Sequence, residues 1–324
     1  METISRYISE KLKVSKGTYA SSMIAPKDNS ELFLAISDKI NKMPGKFLDL
    51  TDIDVSSVSS LKSLMFYESK IEEIDITGWD TSHTEDMTLM FFDCKNLKRV
   101  IGIEDIDTSN VKSMKSMFKG CKNLDSFDMS HWDTSSLENA SMMFDSCKSI
   151  DHVDLSANDL SSLKTIGEMF TKCENLEQVS FGDKDFSSLQ TMEYAFSSCK
   201  SLERIEIGEC KMPSLATMEG AFFGCSSLKK IDLSGINAPS LSNLMSTFST
   251  CVKLEEADIS FLEKAKSFSI NQNGRVSGVM SSMFENCTRL KRVVGSSLVK
   301  KLGSSISTMR DYAFNNCPKN IQFE

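Results

Sequence analysis

Proline, glycine, histidine and tryptophan are all scarce in this chain, and each scarcity removes a class of answer. Five prolines and fifteen glycines in 324 residues are too few for a collagenous or low-complexity linker protein. Basic residues are outnumbered, 37 against 45 acidic, for a formal charge of -8. No basic block is available to hold a phosphate backbone, so nucleic acid is not an expected partner. The longest apolar runs, such as Leu89-Met90-Phe91-Phe92, fall far short of the roughly 18 residues of a membrane span. The opening METISRYISEKLKVSK is broken by Glu2, Arg6, Glu10 and Lys11 and lacks the apolar stretch of a secretory signal. The sequence alone therefore points to a cytoplasmic or particle-associated protein, or to one that leaves by another route.

Signs of catalysis are equally thin. The three histidines, His83, His131 and His152, share no local motif with a serine, a cysteine or a second histidine. There is no phosphate-binding glycine loop, no HExxH and no nucleophile elbow. The ten cysteines contain no CxxC pair, which argues against metal. No enzyme activity, cofactor or metal is expected.

What the chain has is a repeat. Cys94, Cys121, Cys147, Cys173, Cys199, Cys225 and Cys251 are separated by 27, 26, 26, 26, 26 and 26 residues, and Cys287 and Cys317 follow after 36 and 30. Phenylalanine stands three residues before every one of these nine: Phe91, Phe118, Phe144, Phe170, Phe196, Phe222, Phe248, Phe284 and Phe314. Within one unit, Met143, Phe144, Cys147 and Ile150 are spaced as one face of a short helix. Val153-Asp154-Leu155 alternates as a short strand, and a Ser, Asn and Asp cluster then turns the chain. One strand and one helical turn cannot close a core alone, so successive units must stack. The expected fold is an α/β solenoid with a parallel sheet on one face and short helical turns on the other. At ~4.8 Å per coil the rod is roughly 45 Å long.

Met117 to Ser135, MFKGCKNLDSFDMSHWDTS, and Asp75 to Ser82, DITGWDTS, carry a further likeness. These phrases resemble the BspA-type leucine-rich repeats of bacterial surface proteins, from about residue 46 to the end. Later copies depart from the motif: its Trp position holds Asn158, Lys184, Cys210 and Ile236. The resemblance implies a leucine-rich repeat fold and an adhesin-like, cell-surface protein that binds other proteins.

Residues 1–45 form the expected N-terminal unit, either a helical cap or a docking segment, and 46–324 the solenoid, with a loop insertion near 261–279. Ile4, Tyr7, Ile8 and Leu12 mark one amphipathic helix, and Leu32, Leu34, Ile36 and Ile40 lie in a second, stopped by Pro44-Gly45. The first residues also bear a faint resemblance to leaders of large tailed-phage proteins. Leu64-Met65-Phe66 fits the repeat one turn early, with Ser69 at the cysteine position.

The nine repeat cysteines are expected as free, buried thiols that pack as small hydrophobes. Cys210, off the ladder, is the one expected within reach of solvent. On the sheet, period-2 alternation turns Asp75, Asp128, Asp154, Ser180, Glu206, Asp232 and Asp258 outward, beside a partly basic column with Arg204 and Lys230. The two columns either compensate each other or select a partner of complementary charge. Trp79 and Trp132 serve either as packing over a turn or as contact hot spots. Together these ten, Asp75, Asp128, Asp154, Arg204, Glu206, Lys230, Asp232, Asp258, Trp79 and Trp132, are the candidate partner-binding residues. Two functions remain open: a non-catalytic solenoid binding a protein through its sheet face or edge loops, or a structural or assembly component, such as a phage-particle protein or an intracellular scaffold, docked through its N-terminal helix.

Overall fold

A computed structural model describes residues 23–266, 280–295 and 313–324. The expected first helix, at Ile4 to Leu12, and most of the 261–279 insertion lie outside the described residues. The chain winds as a solenoid of about ten coils. Each coil but that of Cys121 contributes a strand: β1 (Phe47–Asp49), β2 (Glu73–Asp75), β3 (Arg99–Ile101), β4 (His152–Asp154), β5 (Gln178–Asp185), β6 (Arg204–Lys211), β7 (Lys230–Asp232), β9 (Glu256–Asp258), β10 (Arg292–Val294) and β11 (Gln322–Phe323). A further strand, β8 (Ile236–Asn237), continues the β7 coil. Every pairing is parallel, in three ladders ordered β1-β2-β3, β4-β5-β6-β8 and β7-β9-β10-β11. The middle residue of each three-residue strand, such as Ile74 and Val153, is buried, while its neighbours face away from the core.

Opposite the sheet, the apolar stripe expected of a helix is built instead from chained β-turns. In the Cys94 coil, Met90, Phe92, Cys94 and Leu97 donate N–H bonds to the carbonyls three residues back, at 3.0 to 3.3 Å. The intervening Met87, Leu89, Phe91 and Asp93 donate instead to Ser113, Lys115, Met117 and Lys119 of the next coil, at 2.7 to 2.9 Å. A helix would satisfy all of these groups within itself and leave coils joined by side chains alone. Alternation spends half the donors on the axial contact, so coils are hydrogen-bonded on both sides of the core. The geometry needs two left-handed residues per coil, for example Leu89 (φ 59°) and Asp93 (φ 56°). At the second of these positions Gly120 and Gly224 relieve the strain.

The sequence pattern now has a physical cause. Phe91 to Phe314 form one stack, with ring centroids 5.1 to 5.7 Å apart and planes within 16° of parallel. Each phenylalanine carbonyl accepts the N–H of its own coil's cysteine, and then the thiol of the next: Phe118 O takes Cys121 N–H at 2.9 Å and Cys147 Sγ at 3.0 Å. Cysteine fits because it is small enough for the packed column and still carries a donor. No disulfide links the cysteines, and all are buried except Cys317, which is partly exposed. Burial pushes the thiols up, to about 12 for Cys94 and Cys251.

Two sequence expectations are corrected here. Cys94 Sγ donates to Met65 O, the place that a phenylalanine holds in later coils. Glu68, not Ser69, therefore occupies the early cysteine position, and Phe66 turns outward and is 39% exposed. Cys210 is not within reach of solvent but 1% exposed. β5 and β6 run for eight residues where other strands stop after three, so alternation carries Cys210 inward, paired with Ile236.

Among the described residues one α-helix, α1 (Asn29–Lys42), covers the first coil. Asp28 Oδ1 caps it by accepting from Ser30 and Glu31 N–H, and Leu32 and Ile36 enter the core. Asn29 Nδ2 donates to Ser60 O and Lys62 O. One coil later the equivalent carbonyls, Asp86 and Thr88, are taken by Leu61 and Ser63 N–H. A single side chain thus stands in for two donors of a missing coil, as a terminal cap must.

Candidate functional site

The strand carboxylates predicted as a binding column are engaged locally. Asp75, Asp128, Asp154, Asp232 and Asp258 each accept the N–H of the serine or threonine two residues on, at 2.8 to 3.0 Å. This Asx-turn ends the strand and turns the chain. The bond from Ser130 N–H holds the Asp128 carboxyl below the usual range, and that from Ser156 does the same for Asp154. Asp75 is buried, whereas Asp128, Asp154 and Asp232 still show their outer edge to solvent. Arg204 folds back on Glu206 at 2.7 Å, and Lys230 pairs with Glu256 at 3.4 Å.

Trp79 and Trp132 are inside. Their indole N–H groups donate to Leu50 O and Ile103 O, at 3.0 and 2.9 Å, and both rings are buried, which removes them from any contact surface. Asn158 replaces tryptophan in the next coil and is bonded through Nδ2 to Met129 O and Trp132 O. The Asp-Thr-Ser that follows the tryptophans serves the turn: Asp133 Oδ1 accepts from Ser135 N–H, and Thr134 Oγ1 donates to Asp159 O.

The sequence reading missed a column that lies four residues after each cysteine, at the start of the strands. It reads Lys46, Glu72, Lys98, Asp125, Asp151, Glu177, Glu203, Lys229, Glu255, Lys291. At the first end Glu72 bridges Lys46 and Lys98, and these lysines lower its carboxyl to about 2. At the other end Glu255 pairs with Lys291 at 2.7 Å. The middle four are all acidic, and backbone bonds hold neighbours in register, Glu177 N–H to Asp151 O and Glu203 N–H to Glu177 O. Among the described residues no lysine or arginine pairs with Asp125, Asp151, Glu177 or Glu203; Asp151 takes Ser126 Oγ and His152 Nδ1. A comparable column elsewhere is balanced, with Glu85 on Lys112 and Glu138 on Lys164, both at 2.7 Å. The signal was available in the sequence by reading every position of the 26-residue period, not only the strand alternation.

The sheet is also interrupted beside this column. The Cys94-to-Cys121 spacing is the 27-residue one, and the extra residue falls in Gly102 to Ile106, where Ile103–Asp105 forms a 3-10 turn. Gly102 is left-handed (φ 83°), and a Cβ there would meet the Thr77 backbone at 2.9 Å. Past this turn Asp125 N–H still reaches Lys98 O, but Ser126 to Met129 form no strand. A cavity of about 230 Å³ opens at the break. Among the described residues no His, Cys, Asp or Glu cluster is suited to a metal, and no helix is long and apolar enough to cross a membrane.

Comparison with known proteins agrees with this architecture. A family model described as BspA type leucine-rich repeat region matches residues 192–323 in six copies. A second, described as Mycoplasma protein of unknown function (DUF285), matches residues 45–106, 59–181 and 98–207. No curated protein matches. Among solved structures, a leucine-rich repeat protein from Bacteroides ovatus is 20% identical over 82% of this chain and 66% of its own, with a TM-score of 0.40. A leucine-rich cell surface protein from Faecalibacterium prausnitzii is 17% identical over 82% of each chain, with a TM-score of 0.31. An internalin from Listeria monocytogenes is 10% identical over 84% of this chain and 78% of its own, with a TM-score of 0.28. Repeat spacing, parallel ladders and both family matches meet in one statement: the chain belongs to the BspA-type leucine-rich repeat proteins, its first half built on the repeat of the DUF285 family.

Proposed function

We propose that this protein is a non-catalytic recognition module that binds a polypeptide through the middle of its sheet side, and that the bound segment is rich in lysine or arginine. Leucine-rich repeat solenoids generally mediate protein–protein contacts and are typically non-catalytic. The observation that carries the finer reading is the run Asp125, Asp151, Glu177 and Glu203, four successive acids that form no ion pair with a lysine or arginine among the described residues, in a column whose ends are paired. Like charges in adjacent strands oppose folding. A balanced alternative is used elsewhere in the same molecule, so the unbalanced stretch is best explained by a cation from outside. The outer edges of Asp128 and Asp154 extend the same negative field.

Differential capture tests this. Proteins retained from the native source by the parent chain are quantified by mass spectrometry against those retained by Glu177→Lys/Glu203→Lys and by a control reversal, Glu85→Lys, in the balanced column. Specific loss of basic proteins in the first variant, with the control unchanged, is expected. Identical retained sets would overturn the reading.

A second reading rests on the N-terminal end, where Phe66, Tyr67 and Phe92 form an outward aromatic cluster with centroids 4.2 to 5.4 Å apart, and Phe33 and Leu34 of α1 are 45% and 65% exposed. These groups suit the docked assembly component. Deleting residues 1–16 separates the two readings: sheet-side binding survives the deletion in the first, while location or assembly fails with the solenoid still folded in the second.

A further inference from the structure

The cavity at the sheet break lies where the parallel ladder is interrupted between β3 and β4. In neighbouring coils the strand's middle residue seals the sheet, Val153 and Val179 being 6% and 0% exposed, although Ile205 further along is only partly buried. Phe127, at the same place in the Cys121 coil, is only partly buried, and no backbone bond joins Ser126 to Met129 with Arg99 to Gly102 among the described residues. The cavity is bordered by Val100, Ile103, Phe118, Leu124 and Phe127, of which Phe127 is the one that is partly exposed while the others close its floor at 0 to 4% exposure. Its lining is mixed: these apolar residues lie beside the polar Arg99, Glu104, Asp125 and Ser126. Arg99 is held aside by Glu73 at 2.9 Å. Asp125 is also the first member of the acidic run.

A volume of about 230 Å³ lies below the few hundred Å³ and upward of small-molecule sites and is on the scale of one large side chain. Interface energetics concentrate in such places, where an apolar anchor fills a pocket and charged groups around it set orientation and partner choice. We propose that this slot receives a single leucine, isoleucine or phenylalanine side chain of the bound segment, one that is flanked by the lysines or arginines that run along Asp125, Asp151, Glu177 and Glu203. The inference rests on the sheet-side reading above. It adds a register: the anchor enters at the Cys121 coil and the basic residues extend toward the Cys199 coil. The extra residue in Gly102 to Ile106 creates the site, because it separates two strands that a 26-residue unit would have paired.

The test starts from a random peptide display library selected on the full chain. A selected peptide is then synthesised with a fluorophore, and its affinity is measured by anisotropy. Ser126→Trp is built to plug the rim, and Ser126→Ala removes the same hydroxyl bond to Asp151 without plugging it. Thermal melts confirm that both variants fold. Selected peptides are expected to share one apolar residue beside two or more basic ones. Affinity should fall at least tenfold for Ser126→Trp, and equally when the peptide's apolar residue is changed to Asp, while Ser126→Ala stays within about twofold. Equal binding by Ser126→Trp, or basic peptides with no shared apolar residue, would overturn the anchor slot and leave the acidic surface standing. Peptides that bind Glu177→Lys/Glu203→Lys as tightly as the parent would overturn both.

Discussion

The two sides of this solenoid obey different rules. On the turn side the same devices recur coil after coil: a stacked phenylalanine in nine, and in eight a thiol on the preceding phenylalanine carbonyl and, among the described residues, a pair of left-handed residues four apart. On the sheet side nothing persists for more than four coils. The ladder breaks twice, two strands run on for eight residues, and the charge column changes from paired to unpaired and back. Identity is required where a side chain must stack on its own copy, because a ring or thiol out of register leaves both a void and an orphan donor. The sheet's outer residues meet only solvent and each other, so they are free to differ, and their differences are where selectivity can reside.

The sharpest way to break this comparison is alkaline titration. The eight enclosed column thiols, Cys94 to Cys287, stay protonated in the fold, because burial raises the first seven, to about 12 for Cys94 and Cys251, and the contact with the Cys317 thiol, together with burial, raises Cys287. In the unfolded chain they ionise near 8.5. Stability is therefore complete below that pH and is lost as pH rises toward the folded values, by about 1.4 kcal/mol per thiol for each unit. With eight such groups the loss reaches the order of 10 kcal/mol one unit above the thiol pKa. Circular dichroism under reducing conditions should show cooperative unfolding between about pH 9 and 11, and Cys147→Val/Cys173→Val should move the midpoint upward. A flat signal through that range would mean that the column is not sealed. The next largest effect is Phe144→Ala, which removes one ring from the stack and should cost about 3 to 5 kcal/mol in chemical denaturation. The exposed His83→Ala should cost under about 0.5 kcal/mol, and comparable losses in the two would sink the stacked-column account.

Much of this was legible beforehand, and what was missed has identifiable causes. Phenylalanine and cysteine recur at one offset nine times, and a period of that strength admits only stacked coils, so the solenoid, its parallel sheet and the buried thiols followed from spacing. The chained turns did not, because Met143, Phe144, Cys147 and Ile150 have the same spacing on a helix face. What separates the two is where alternate N–H groups go, and that depends on the next coil. Cys210 was misread because local turn residues, Gly208 and Glu209, gave no sign that β6 would continue through them. The acidic column escaped because strand alternation directs attention to every second residue, and Asp125, Asp151, Glu177 and Glu203 sit just before the strands. The slot had a visible trace, the single 27-residue interval among 26-residue ones.

The finest contrast lies within one column. Glu177 sits between Asp151 and Glu203 with no basic partner among the described residues, whereas Glu255 is matched by Lys291, which also holds the Glu255 carboxyl below its ordinary range. If the central acids serve binding at the expense of folding, neutralising one should relieve repulsion: Glu177→Gln is expected to stabilise the free protein by ~0.5 kcal/mol or less while weakening its hold on a basic segment. Glu255→Gln removes an attraction and should do the reverse, lowering the melting temperature slightly and leaving binding unchanged. Both shifts should shrink as salt rises, since exposed charges are screened over a Debye length of about 10 Å at 0.1 M. A lower melting temperature for Glu177→Gln would mean that the acid holds the fold together through a contact of its own. The sheet side would then be under the same structural constraint as the turn side, and the division of labour between them would fail at its most exposed point.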